Sequence, residues 1–248
     1  VSPRQQAAQL RAIRHLNQHR FEHLHDPAIR ARIDAYEMAF RMQSAAPELN
    51  NLAAETAATH AAYGTERPGE SGSFSRNCLM ARRLAERGVR FVSIFHRRWD
   101  HHSGLHKKIE AGCEIVDRPV ATLIGDLKQR GLLDDTLILM MGEFGRSPVM
   151  TKTAGRGHWA RVMSMVRAGG GLNHGSVIGS TDRKGYDVAS RRVGPSDLAA
   201  TVFQHLGITL DTHWTNAQGR PVPSVTGGCQ PISELFLEKK ICPAAQST

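Results

Sequence analysis

Apolar residues recur at helical spacing over the first third of this chain and fall into short unbroken runs after residue 88. Asp26-Pro27 is a helix-start signal, with Asp as N-cap and Pro at the first helical position. Behind it Ile29, Ile33, Tyr36, Met38, Phe40 and Met42 trace a mostly helical apolar face. Pro47 is expected to open another helix through Leu49, Leu52 and Ala57, ended by Gly64. Residues 66–73 are polar and rich in Gly and Pro, which predicts a loop. Phe74 to Arg87 then predicts a helix carrying Leu79, Met80 and Leu84 and stopped by Gly88. Residues 1–88 thus read as a helical segment or lobe.

From residue 89 the pattern changes to α/β. Arg90 to His96 and Thr136 to Met141 each predict a strand. Between them a helix is expected from about His106 to Arg130, with Val116, Val120, Leu123, Ile124 and Leu127 inward and Gly131 at its end. Strand, helix and strand make a crossover unit, which places the two strands parallel in one sheet. Residues 144–160 form a long polar loop, Val162 to Val166 is a further apolar run, and Ser176 to Ile178 begins a short strand. Pro195-Ser196-Asp197-Leu198 starts a helix through Val202, Phe203 and Leu206, stopped by Gly207. The expectation is a single α/β domain over residues 1–248, with the sheet portion in 89–248.

A polar cluster stands directly behind each predicted strand: Asp100, His101 and His102 after the first, Glu143 and Arg146 after the second. Ligands of open parallel sheets bind at the carboxyl ends of the strands, so Asp100, His102, Glu143 and Arg146 are expected on one rim. Carboxylates and imidazoles together suit a divalent cation such as zinc, magnesium, calcium or manganese. Asp100 and His102 are also compatible with a surface turn, and Glu143 with a helix cap or a partner for Arg146. His158, between Gly157 and Trp159, is a further ligand candidate or a packed loop histidine. No G-x-S-x-G, P-loop or strand-linked G-x-G-x-x-G occurs, which removes the ordinary serine-hydrolase, P-loop and dinucleotide-binding readings. Ser103, Ser147, Thr151 and Thr153 are the hydroxyls beside the clusters.

Charge sharpens the class of partner. The 248 residues carry a formal net charge of +9, with a pI near 9.9, which favours an acidic partner or substrate. The excess gathers between Arg146 and Arg192, where nine basic residues face only Asp182 and Asp187. Aromatics are only 6% and no helix-turn-helix, finger or stacking pattern appears, so nucleic acid is not expected. No apolar run is long enough for a membrane span. Cys78, Cys113, Cys229 and Cys242 form no C-x-x-C; Cys78 reads as a buried thiol, and pairing of Cys229 with Cys242 stays open. The first residues lack both an initiator Met and the apolar stretch of a signal peptide.

A set of stretches carries a resemblance. They are Ala35 to Gln43, Ala46-Pro47-Glu48-Leu49, Cys78 to Val92, Trp99-Asp100-His101-His102, Gly131 to Thr136, Gly142-Glu143-Phe144-Gly145-Arg146-Ser147-Pro148, Gly155-Arg156-Gly157-His158-Trp159, Gly169-Gly170-Gly171, Gly179 to Asp182 and Asp197 to Thr201. Together they resemble the domain of unknown function 1501 family, sulfatase-like proteins of the alkaline phosphatase superfamily. The resemblance implies an α/β/α sandwich with a mainly parallel sheet and a metal site of Asp100, His102, Glu143 and His158. Two departures stand out. Gly157 replaces the family's usual Asp and Phe144 replaces the superfamily's usual His, which argues against a full two-metal site. The nucleophile would lie on an upstream strand, so the chain is expected to be the C-terminal part of a longer protein, exported to the periplasm or secreted. The implied activity is metal-dependent hydrolysis of a phosphate or sulfate ester, its anionic group held by Arg146 and Arg156. The competing expectation is a non-catalytic protein that binds an anion or carbohydrate.

Overall fold

The computed structural model describes residues 3–225 and 227–236. Its contacts divide the chain into two compact units, residues 1–59 and 60–248. In the first, α1 (Pro3–Leu24) and α2 (Pro27–Asn50) pack against each other across the two-residue link His25-Asp26. Arg14 pairs with Glu37 at 2.9 Å, and the Arg30 guanidinium stands over the Phe21 ring. Ile33 is buried there, while the side chains of Phe40 and Met42 lie outside the described residues. The helix start at Asp26-Pro27 is where the sequence signals it. Pro47, expected to open a new helix, instead lies within the last turn of α2. So near the end of a helix, its missing N–H removes one ladder bond and the helix stops a turn later.

The short helix α3 (Ala57–Tyr63) runs across the unit boundary, and the second unit continues with α4 (Gly69–Glu86) and α5 (Leu105–Gln129). The helix α4 begins five residues ahead of Phe74, behind Pro68. It buries Phe74, Cys78 and Leu79, and α5 buries Val116, Pro119, Leu123 and Leu127. Both helices end in the same double bond. Gly88 N–H reaches the Ala85 carbonyl and Val89 N–H the Leu84 carbonyl; Gly131 and Leu132 do the same toward Lys128 and Leu127. That pattern needs a left-handed residue at the turn, and Gly88 (φ 74°) and Gly131 (φ 69°) supply it without a Cβ penalty. A polar clamp ties the helices together. Arg82, almost fully buried, reaches Glu86 at 2.7 Å and Asp126 at 3.2 Å, Arg130 bridges the same two carboxylates, and Tyr63 donates its hydroxyl to Asp126.

Among the described residues the strands form four two-stranded antiparallel pairs: β1 (Leu137–Met140) with β4 (Val166–Gly169), β2 (Gly145–Met150) with β3 (Arg156–Trp159), β5 (Ser180–Thr181) with β6 (Val188–Ser190), and β7 (His213–Thr215) with β8 (Pro221–Pro223). The mainly parallel α/β/α sandwich expected from the sequence is therefore corrected: the chain is mixed α/β, with short antiparallel ribbons among helices. The predicted strand at 90–96 is extended coil, and residues 90–98 make no backbone–backbone bond among the described residues. Phe91 is 71% and Phe95 89% exposed. Parallel sheets persist where helices cover both faces. Here α5, the helix expected to cover such a sheet, has α4 as its packing partner, and the Arg90–His96 run keeps only partial cover, with Ile94 half-buried and the His96 ring against Phe74.

A smaller core surrounds Leu172, Ile232 and Leu235, with Leu137, Ile178, Val193 and Phe236 against it. The helix α6 (Pro195–His205) anchors the passing chain to this core. Asp197 accepts from Gly194 N–H and Gln230 N–H, and Thr201 Oγ1 accepts from Ile232 N–H at 2.9 Å. Among the described residues no helix is long and apolar enough to cross a membrane. Cys242 lies outside the described residues.

Candidate metal centre

The hairpin of β2 and β3 sets the site. Arg146 stands directly opposite His158 in its register. At its tip the residues Thr151-Lys152-Thr153-Ala154-Gly155 fold into a tight turn. Thr151 N–H bonds the Gly155 carbonyl at 2.8 Å, and Gly155 N–H bonds Thr151 Oγ1 at 3.1 Å. This turn grips the segment that precedes α5. Gly104 N–H reaches the Thr153 carbonyl, Leu105 N–H the Ala154 carbonyl, and Arg156 N–H the His101 carbonyl at 2.9 Å. Thr153 Oγ1 donates to the His102 carbonyl at 2.9 Å. Gly155 lies so close to the His102 backbone that a Cβ there would collide with its carbonyl. The grip brings Asp100 and His102 to the face of the hairpin that carries Arg146 and His158.

Three ligand-type atoms then form a triangle. Asp100 Oδ1 lies 3.0 Å from His102 Nε2 and 3.0 Å from His158 Nε2, and the two Nε2 atoms are 3.2 Å apart. Three ligands at about 2.0–2.1 Å from a tetrahedral ion stand roughly 3.3–3.4 Å from one another. The triangle is therefore close to the base of a tetrahedral His2Asp seat. Its three side chains are more than half exposed, so the fourth direction opens to solvent. Three protein ligands with an open position are the arrangement of a catalytic rather than a structural zinc site.

The surroundings favour a charged Asp100. Hydrogen bonds from Arg146 and then from His158 hold its carboxyl down at about 2. Phe144 stacks at a tilt on His158, ring centroids 4.5 Å apart, and the Arg146 Cζ stands over the Phe144 ring 5.5 Å from its centroid. His101, between two members of the triangle, turns inward instead. It is 7% exposed, its Nε2 has no hydrogen-bond partner among the described residues, and burial lowers its pKa, with Lys108 and Arg146 adding to the effect.

The other candidate residues have separate places. Glu143 lies in the link between β1 and β2, exposed, with no hydrogen bond or ion pair among the described residues, and outside the triangle. Arg146 pairs with Asp100 and not with Glu143. Arg156 commits its Nη1 to the carbonyls of Ser147 and Pro148, at 2.6 and 2.9 Å, and so braces the hairpin. The nearby hydroxyls are engaged locally: Ser103 Oγ accepts from Lys108 Nζ, Ser147 Oγ bonds Val149, and Thr151 and Thr153 bond each other and the His102 carbonyl. Sequence reasoning did not identify the grip of the Thr151–Gly155 turn on the His102 backbone. Its only signal was a Thr- and Gly-containing turn inside a long loop.

No curated protein and no solved structure matches this chain. The sequence model of one family, described as "Protein of unknown function (DUF1501)", matches residues 1–236, which takes in the whole triangle. The chain belongs to the DUF1501 family.

Proposed function

We propose that this chain is a sulfatase- or phosphatase-like, metal-dependent hydrolase domain for small phosphate or sulfate esters, working in an exported setting. The observation that supports it is the Asp100–His102–His158 triangle, with edges of 3.0, 3.0 and 3.2 Å and an open fourth direction. Two imidazoles and one carboxylate best suit zinc among the divalent ions. A cation held there would supply Lewis acidity toward an ester oxygen. Arg146 stands beside it with a planar fork suited to a tetrahedral oxyanion. His102 and His158 serve through Nε2, so their Nδ1 atoms carry the protons. The Thr151–Gly155 turn keeps the two halves of the site in register.

A second reading has its own support. The hydroxyls of Ser103, Ser147, Thr151 and Thr153 are all held in local hydrogen bonds, and none of those bonds goes to a side chain of the triangle. This favours a domain that binds an anion or a charged carbohydrate without turning it over. The test is zinc, manganese, magnesium and calcium binding by calorimetry, followed by aryl phosphate and aryl sulfate hydrolysis with each bound ion. Metal-dependent turnover lost in Asp100→Asn and His158→Ala supports the hydrolase. Metal-dependent anion binding without turnover supports the binding reading. Absence of ion binding refutes the hydrolase, and absence of anion binding with and without metal refutes the binding reading.

A further inference from the structure

Three groups converge on one oxygen. Asp100 Oδ1 accepts contacts from His102 Nε2, His158 Nε2 and Arg146 Nη1. A divalent cation seated on the triangle would need the same oxygen, and it carries more charge than a guanidinium on a far smaller ion. Arg146 is not held there by other side-chain hydrogen bonds among the described residues. Its remaining support is the Phe144 ring, 5.5 Å from its Cζ, and its side chain keeps 26% exposure. The backbone of Arg146 is fixed by its position opposite His158, so a displaced guanidinium stays within reach of the site's open face.

We propose that Arg146 and a divalent metal compete for Asp100 Oδ1, so that metal binding frees the guanidinium to bind a tetrahedral oxyanion. This rests on the metal-site reading above and adds to it an order of events. Before metal arrives, Arg146 Nη1 is committed to Asp100 Oδ1, so the forked edge that includes it is not free for an anion. After metal arrives, the positive charge of the ion and the released fork face the same solvent-open side. Cation and oxyanion binding are then positively coupled, and by linkage each strengthens the other by the same factor. The guanidinium remains charged throughout, while the Nε2 proton that His158 directs at Asp100 passes to Nδ1 or to solvent as the Nε2 lone pair bonds the ion.

The same residues also allow a rival arrangement. A carboxylate has a second oxygen, and Arg146 sliding to Asp100 Oδ2 would orient the ligand instead of vacating it. The two arrangements predict opposite signs for one substitution. If Arg146 competes with the ion, its removal tightens metal binding. If Arg146 orients Asp100, its removal weakens metal binding.

The experiment is zinc titration of the full chain by calorimetry, with and without inorganic sulfate, for the native protein, Arg146→Met and Arg146→Lys. Methionine keeps an apolar stem on Phe144, and circular dichroism checks that each variant is folded. The expected result is zinc binding about 5-fold tighter or more in Arg146→Met, with the sulfate enhancement seen in the native protein lost. Arg146→Lys is expected to keep native-like zinc affinity, since an ammonium still pairs with Asp100, and to show reduced sulfate coupling, since it lacks the fork. Zinc binding that weakens in Arg146→Met, or sulfate coupling that survives it, overturns the exchange while leaving the metal site standing. Zinc binding absent from all three proteins overturns the metal-site reading and the exchange with it.

Discussion

His102 Nε2 and His158 Nε2 lie 3.2 Å apart although 56 residues separate them in the chain. Two imidazole nitrogens at that distance share at most one proton between them, and each needs a further partner. Asp100 Oδ1, at 3.0 Å from both, is the partner they share. A cation satisfies all three at once. Zinc is therefore expected to raise the melting temperature, since an ion that binds only the folded chain stabilises it by about 2.7 kcal/mol at a hundred-fold excess over Kd. His102→Ala and His158→Ala are each expected to abolish the rise while leaving the melt in chelator close to native. Thermal melts with zinc and with chelator check this; a zinc-induced rise that persists in both variants places the ion elsewhere.

Gly155→Ala tests the grip that assembles the site. The added Cβ would meet the His102 carbonyl, so the turn must lift from the Asp100–His102 segment. The contacts from Thr153 Oγ1 to the His102 carbonyl and from Leu105 N–H to the Ala154 carbonyl would loosen with it. None of the buried helix core is touched. The expected outcome is a folded protein whose zinc affinity falls about 10–100-fold, the range for losing support behind a ligand. Calorimetry measures the affinity, and circular dichroism confirms the fold.

The residues of the triangle were legible because ligand-type side chains stand out in any sequence, and Asp100, His102 and His158 each sit beside glycine, aromatic or turn residues. Glu143 was legible in the same way and yet stands apart, because a carboxylate just beyond a strand looks alike whether its link bends toward the site or away. Helix ends were read well at Gly88, Gly131 and Gly207, where a local backbone demand fixes the residue type. The parallel sheet was read wrongly at Arg90–His96. An apolar run reports a preference for cover, and it carries no information about whether a partner strand is beside it. That depends on where α5 packs, and α5 lies on α4.

The helix core offers a prediction independent of the site. Leu79 and Cys78 are fully buried side by side on α4. Leu79→Ala is expected to cost about 2–5 kcal/mol, the range for truncating a core leucine, because α4 and α5 cannot close the space without moving the Arg82–Asp126 clamp. Burial pushes the Cys78 thiol up to about 12. The thiolate is the reactive form, so Cys78 is expected to resist alkylation near neutral pH until the chain unfolds. Mass mapping after iodoacetamide, in native buffer and in denaturant, checks both exposure and reactivity; rapid native labelling of Cys78 would contradict the packing.

The last prediction concerns acid. Glu234 sits in the short 3-10 turn Ser233–Leu235, whose Leu235 plugs the smaller core. Both of its oxygens accept from the Arg191 guanidinium, and this pairing draws its pKa from 4.5 to about 2. A carboxyl lowered on folding stabilises the native state above its unfolded pKa and loses that contribution as pH falls through its folded one. The Arg191 pairing should therefore be intact above about pH 4.5 and gone near pH 2. Glu234→Gln is expected to melt below the native protein at pH 7, with the gap narrowing from pH 4.5 downward and closing near pH 2. Asp100 titrates in a neighbouring range, so the informative quantity is the difference between the two proteins at each pH and not either melt alone. In that difference Asp100 cancels, because the substitution leaves it in place. A gap that stays constant from pH 7 to pH 2 would mean that Glu234 contributes through shape and not through its charge on Arg191.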